Sequence, residues 1–484
     1  MRVSFSTPLR APAGAQAGSA NNPDTLCINT IRTLVMDAVQ NANSGHPGAA
    51  MSMAPIAYTL WQNALSYDPT APLWPNRDRF VLSIGHASML LYALIHVAGI
   101  RQVTDGKVTD EPALSVEDLK QFRQFGSKTP GHPEYGHTTG VETTTGPLGA
   151  GCGNSVGMAI AEKWLAARYN KPGFTLFDHH VYTLCGDGDM MEGVSSEAAS
   201  LAAHLELGNL TWIYDSNRIS IEGSTEVAFT ENVAERFAAY GWQVLELKDA
   251  NDTTTFMDLL ANAKAETRKP TLIIAHSVIA WGAPHKAGKA SAHGEPLGAE
   301  EVRETKKFLN WPEDSNFAVP DAVLPHMRAG LGARGAAART AWEALFASYR
   351  TAHPHEAGEL DAIFSGSLPE GWDADIPLYP TDAKGTASRA SSGEVLNAVA
   401  GRLPWLLGGS ADLAPSTKTL LKGEESFQPA QWGGSYAGRN FHFGVREHAM
   451  GAIVNGMALY GLRPYGAGFL IFSDYMKALS ACPP

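Results

Sequence analysis

Residues 184–193 read LCGDGDMMEG, three acids and three glycines behind a short apolar run. About thirty residues on, a second apolar run ends in YDSN at 214–217. Carboxylate and amide oxygens are hard ligands. With room left for phosphate oxygens, they suit Mg²⁺ or Ca²⁺. Gly186 and Gly188 would let the backbone turn sharply and come close to a phosphate. The alternative is a solvated acidic turn beside an Asx turn. The other candidates are imidazoles. His46 and His132 each sit in a GHP loop, His86 in IGHAS and His293 in SAHGEP. Histidine can donate, accept and titrate near neutral pH. A histidine before proline is otherwise an ordinary loop residue.

The elements around these residues decide which meet. Residues 181–185 and 210–214 read as buried strands. Between them, 195–207 reads as a helix with Ala199, Leu201, Ala202 and Leu205 on its apolar side. A β-α-β unit makes the two strands parallel neighbours. Their carboxyl ends then share one edge, where ligands sit in open α/β sheets. Asp187 follows the first strand; Asp215 and Asn217 follow the second. Residues 272–275 read as another buried strand, and a helix from Asp24 carries Ile28, Ile31, Leu34, Val35 and Ala38 before Gly45 and Pro47 stop it. This alternation predicts a doubly wound α/β domain over 23–310. Residues 311–383, rich in Pro, Ala and Gly, are expected to be a linker. A second α/β segment over 384–484 is expected to hold a helix at 393–399, a strand at 405–407 and a helix at 448–460.

A chain of 484 residues is long enough for two or three domains. Hydrophobic content of 44% and charged content of 18% are globular values. No run of about twenty apolar residues predicts a membrane span. A formal net charge of -12 argues against nucleic acid as a partner. An anionic substrate would therefore need a local cluster of Arg, His or metal. Four scattered cysteines point to a reducing compartment, the cytoplasm. Residues 1–22 are expected to be a disordered tail, with a short transit segment as the alternative.

The pair GDG and YDSNRISIEG resembles the thiamine-diphosphate motif of transketolases. NSGHPGAAMSMAPIAY, RDRFVLSIGHASMLLYAL, TPGHPEYGHTTGVETTTGPLGAG, GGSADLAPS and FHFGVREHAMGAIVNGMALYG follow in the family's order. The resemblance implies a diphosphate-binding domain followed by a pyrimidine-binding one. It implies that Asp187, Asn217 and the carbonyl of Ile219 hold Mg²⁺, with Ca²⁺ or Mn²⁺ as substitutes. Gly186, Gly188, His86 and His293 would face the diphosphate, and Gly146 and Leu148 the aminopyrimidine. Phe469, Phe472 and Tyr475 would form the aromatic wall behind that ring. Glu447 would favour the imino tautomer, which takes the thiazolium proton and leaves a carbanion. Glu192 would lie between paired sites and Asp412 at the interface near the cofactor.

On the substrate side the resemblance implies transfer of a two-carbon ketol unit from a ketose phosphate to an aldose phosphate. His46 and His132, with His293, would face the sugar and the reacting carbonyl. Arg389 and Ser416 would grip the phosphate. The active sites would lie between the two subunits of a homodimer. Two departures stand out. Lys289 and Ala290 replace the Thr-His of many relatives, and ALSACPP departs from the family inside the pyrimidine domain, so the chain is expected to be truncated there, with a third domain expected to be absent. The alternative function is therefore a non-catalytic fragment that binds thiamine diphosphate and Mg²⁺. A nicotinamide-dependent dehydrogenase would share the fold, but no G-x-G-x-x-G turn follows the first strand.

Overall fold

The computed structural model describes residues 22–480. The expected tail therefore lies, apart from Asn22, outside the described residues. Asn22 caps the first helix, Pro23–Ala42, by accepting from the Asp24 N–H at 2.8 Å. Pro23 opens the helix where no N–H is needed, and left-handed Asn43 closes it.

The main sheet has five parallel strands, β1 (Arg79–Leu82), β4 (Val181–Gly186), β5 (Leu210–Ser216), β7 (Thr271–His276) and β6 (Gln243–Leu247), in that spatial order. The antiparallel pair β2 (Arg101–Thr104) and β3 (Lys107–Pro112) stands apart from it. Successive side chains of the central strands alternate between two apolar cores. Leu82, Leu184, Ile213 and Ile273 pack under the Pro23–Ala42 and Ser88–Ala98 helices. Val81, Cys185, Trp212 and Leu272 pack under Ala150–Tyr169 and Gly193–His204. Burial on both faces explains why these strands read as continuous apolar runs. β4 and β5 are parallel neighbours, and their register ends with Gly186 opposite Asp215.

Residues 311–383 differ from the expected linker. They contain helices Val323–Met327, Ala333–Ala352 and Pro354–Ser365. Trp342, Phe346 and Tyr349 recur on one helical face and are buried. The Arg339 guanidinium donates to Asp68 at 2.7 Å, tying this segment to the first domain. Residues 311–322 and 366–387 lack regular structure. The Ala-rich composition hid a helical period behind a linker-like amino-acid content.

Beyond it lie helix Ser388–Arg402 and a second parallel sheet, ordered β10 (Arg463–Ala467), β8 (Leu406–Ser410) and β9 (Asn440–His442). Its helix Glu447–Ala458 crosses Ala150–Tyr169 of the first domain at very close range. A Cβ on Gly157 would stand 2.1 Å from the Ile453 carbonyl oxygen, and one on Gly456 2.0 Å from that of Asn154. Ile453, Met457, Leu407 and Phe441 thus join the same core as Trp164 and Trp212. Gly157→Ala should cost about 1–3 kcal/mol by forcing these helices apart. Urea unfolding measures this. Gly401→Ala, on an open helical face, should not lower the midpoint. No helix among the described residues is long and apolar enough to cross a membrane.

Candidate cofactor site at the strand tips

Asp187 is the first residue past β4, and its carboxylate is buried. The Tyr214 hydroxyl donates to Oδ1 at 2.5 Å, and the Arg218 N–H donates to Oδ2 at 2.9 Å. Asp215 accepts from the Ser277 hydroxyl at 2.5 Å and from Asn217 Nδ2 at 2.9 Å. Asn217 Oδ1 accepts the Ile219 N–H at 2.9 Å. Asp187, Asp215 and Asn217 therefore meet at one edge, as the β-α-β reading expects, with Ile219, named only by the resemblance, bonded to Asn217. Burial pushes the Asp187 carboxyl up to about 6 and that of Asp215 up to about 7. A buried carboxylate short of positive charge suits a cation. Among the described residues no group of three or more His, Cys, Asp or Glu could hold a metal. A cation here would rest on one carboxylate with amide, backbone and ligand oxygens, a donor set that fits Mg²⁺.

The glycines of the turn serve close approach. A Cβ on Gly188 would stand 2.7 Å from Leu148 Cδ1, and one on Gly186 2.9 Å from Ile84. Asp189, which no motif marks, binds three segments together. It accepts from Ser83 Oγ at 2.6 Å, Gly149 N–H at 2.7 Å and Gly186 N–H at 2.9 Å. Leu148 and Gly146 are carried on the loop that this carboxylate anchors. The sequence signal was present, a third acid in a crowded turn, but its partners lie far along the chain.

The four histidines converge. Ring centroids are 4.9 Å apart for His46 and His86, 5.2 Å for His86 and His293, and 5.8 Å for His46 and His293. His132 closes the group: a Cβ on Gly146 would stand 3.4 Å from its Cγ. Burial pushes His46 down to about 4, helped by Arg123, His293 and His132. Burial also lowers His86, His132 and His293. At neutral pH the cluster is uncharged. His293 Nδ1 is buried without a partner, as is Ser195 Oγ. Orphaned polar atoms able to donate hydrogen bonds fit an anionic group such as a diphosphate.

These lowered values have a stability consequence. The unfolded histidines bind protons near the ordinary value of 6.5, whereas folded His46 does so near 4. The stabilisation is complete above the unfolded value and is lost as pH falls through the folded one. The melting temperature should therefore drop between pH 6.5 and 4, and His46→Asn should flatten that drop in calorimetric scans.

A second group forms elsewhere. Glu447 is buried at the start of its helix and shares a pocket of 410 Å³ with Asp412, Glu197, Phe472 and Tyr475. Phe469 stacks on Phe472 at 5.8 Å. Asp412 holds a left-handed backbone at φ 61 in the turn that follows β8. Glu197, unmarked in the sequence, accepts the Ala449 N–H at 2.9 Å and so steadies the helix that carries Glu447. Glu192 is exposed beside Gly149. Among the described residues no hydrogen bond or ring contact joins Glu447 to Asp187 or to the histidines. Arg389 is exposed on helix Ser388–Arg402, and Ser416 lies on the short helix Ala414–Thr417 packed against it. Their neighbours Ala390 and Pro415 line a cleft of 1060 Å³ with Lys418 and Arg446, but Arg389 and Ser416 themselves do not.

Comparison with known proteins follows the same division. Residues 23–369 match the family described as "Transketolase, thiamine diphosphate binding domain", and 384–481 match "Transketolase, pyrimidine binding domain". The chain is 52% identical over 459 residues to a transketolase of Geobacillus stearothermophilus, covering 95% of this chain and 66% of the relative. A Bacillus subtilis transketolase is 49% identical over 451 residues, covering 93% and 65%. A transketolase of Pichia stipitis, solved in complex with sedoheptulose 7-phosphate, superposes with a TM-score of 0.89 at 45% identity, covering 95% and 66%. The Leishmania mexicana transketolase gives 0.88 at 42%, with the same coverage. The chain thus spans 66% of the length of the first of these relatives. It belongs to the transketolase family and carries that family's thiamine-diphosphate-binding and pyrimidine-binding domains.

Proposed function

We propose that the protein transfers a two-carbon ketol unit from a ketose phosphate to an aldose phosphate, with thiamine diphosphate and Mg²⁺ as cofactors. The observation that carries this reading is the uncharged histidine cluster, with its unpartnered His293 Nδ1, in a member of this family. When bound, thiamine diphosphate supplies the nucleophilic carbon that takes up and releases the ketol unit. The chain's residues do the rest. Asp187, Asn217 and the Ile219 carbonyl hold the cation, for which Ca²⁺ or Mn²⁺ can substitute. His86 and His293 donate to diphosphate oxygens at the glycines of the 186–188 turn. Gly146 and Leu148 orient the aminopyrimidine, and Phe469, Phe472 and Tyr475 pack behind it. Glu447 holds a proton at the pyrimidine nitrogen. His46 and His132 bind sugar hydroxyls, and Arg389 and Ser416 take the phosphate.

Separation of Glu447 and Asp412 from Asp187 supports a homodimer with Glu192 near the shared axis and one active site at each interface. So does exposed apolar surface on Phe469, Leu470, Ile471 and Tyr475. The phosphorylated sugar found with the Pichia relative supports the substrate class. Three unpaired cysteines, Cys27, Cys152 and Cys185, support the cytoplasm.

The test is a coupled assay with xylulose 5-phosphate and ribose 5-phosphate, set against parallel assays with formaldehyde as acceptor or with pyruvate as donor and glyceraldehyde phosphate as acceptor. Turnover with the two pentose phosphates alone is expected. The alternative reading is cofactor binding without turnover. Calorimetric binding of thiamine diphosphate in the absence of ketol transfer would establish that reading instead.

A further inference from the structure

No motif marks Arg123, yet its side chain reaches the edge of the histidine cluster at His46. It stands in a left-handed backbone at φ 61, held by its N–H donating to the Thr129 carbonyl at 3.0 Å. Non-glycine residues hold such a conformation when their surroundings enforce it. From there Nη1 donates to Ser44 Oγ at 2.9 Å and Nη2 to His46 Nδ1 at 3.3 Å. Nε is buried with no partner, and a Cβ on Gly131 would stand only 3.2 Å from it. The strained turn, the glycine beside it and the unsatisfied nitrogen all bear on one guanidinium.

Guanidinium has donors and no acceptor, so His46 Nδ1 must accept. The proton of the neutral ring then sits on Nε2, at the opposite side, where Gly294 leaves room: a Cβ there would stand 3.2 Å from Nε2. A permanent cation at hydrogen-bond range also repels any second charge on the ring. The other titratable groups facing His46 are His86, His132 and His293, and Glu134 acts only through His132.

We propose that Arg123 is a positioning residue that fixes His46 in the Nε2–H tautomer, so that His46 offers a neutral donor to a substrate oxygen. The tautomer follows from the hydrogen bonds alone; its use toward a sugar rests on the function proposed above.

The test uses the full chain labelled with ¹⁵N-histidine, without cofactor, as wild type, Arg123→Met and Arg123→Lys, with His46→Asn to assign the signal. In the wild type, His46 should show an unprotonated Nδ1 and a protonated Nε2 across neutral pH. In Arg123→Met the two nitrogens should average, and the protonation midpoint should rise by about one pH unit. Arg123→Lys keeps the charge without the planar fork, so the midpoint should stay low while the tautomer preference weakens. If Arg123→Met disturbs the buried His179 signal, the fold has changed and Arg123→Lys with Ser44→Ala decides. Unaltered tautomer and midpoint in the folded variants overturn the proposal. In the coupled assay, Arg123→Met should lower kcat about tenfold with little change in KM, and move the acidic limb upward. Altered spectra with no turnover in any variant, wild type included, would uphold the positioning role and count against the enzymatic reading.

Discussion

Asp187→Asn removes metal-dependent binding of thiamine diphosphate while leaving the metal-free protein at least as stable as before. The two halves of this expectation come from the same buried carboxylate. Asp187 has two hydrogen-bond donors, the Tyr214 hydroxyl and the Arg218 N–H, and burial still pushes it up to about 6. The sign follows from linkage. The protonated form is favoured in the fold, so stability is complete below the ordinary carboxyl value of 3.8 and is lost as pH rises through about 6. At pH 7 the ionised group costs up to about 3 kcal/mol in the metal-free state. Asparagine is nearly isosteric and uncharged. It keeps the Arg218 contact, and the Tyr214 hydroxyl can rotate to accept from its amide. The melting temperature without metal should therefore hold or rise. Cofactor affinity should fall by about 3–5 kcal/mol, the cost of breaking a buried charge pair, or roughly a hundredfold to several thousandfold. Titration calorimetry with and without Mg²⁺ measures both terms. Chelation of the wild type should reproduce the loss and have no effect on the variant. A variant that binds the cofactor normally in Mg²⁺ would remove Asp187 from the metal site.

The β4–helix–β5 unit was legible because each of its signals is local. An apolar run, a glycine turn and an apolar helical face suffice to make two strands parallel neighbours, and parallel pairing carries Asp187 and Asn217 to one edge. The histidines required more. Their loops are scattered from 46 to 293, and only the resemblance grouped them before the fold did. Arg123 and Glu197 were invisible because their partners are distant, and Asp189, visible as a third acid in the turn, gave no sign of what it binds. Asp189 binds Ser83 across 106 residues, and Glu197 caps the Glu447 helix across 252. The misread interval after 310 shows the opposite failure. Trp342, Phe346 and Tyr349 stand in helical register, but alanine and glycine around them dilute the apolar period. Helix propensity of alanine was the better guide there than linker-like composition.

Complementation between two inactive chains tests the arrangement of the site most sharply. Glu447→Gln keeps the size and burial of the side chain but cannot exchange a proton at the pyrimidine nitrogen. Turnover should fall about 10²–10⁴-fold with the fold intact. Asp187→Asn should be inactive for the separate reason given above. In the proposed dimer a working site would take Glu447 from one subunit and Asp187 from the other. Co-expression of the two variants then forms heterodimers in which one site carries both lesions and the other carries neither. With random pairing, half the dimers are mixed and one of their two sites is intact, so about a quarter of wild-type activity should return. A site assembled inside one chain predicts the reverse: every site carries one lesion and the mixture stays inactive. Wild type co-expressed with the double variant is the control, since its mixed dimers carry one lesion in each site and contribute nothing. Recovery in the first mixture, measured per dimer by the pentose phosphate assay, places the boundary between subunits through the middle of the reaction.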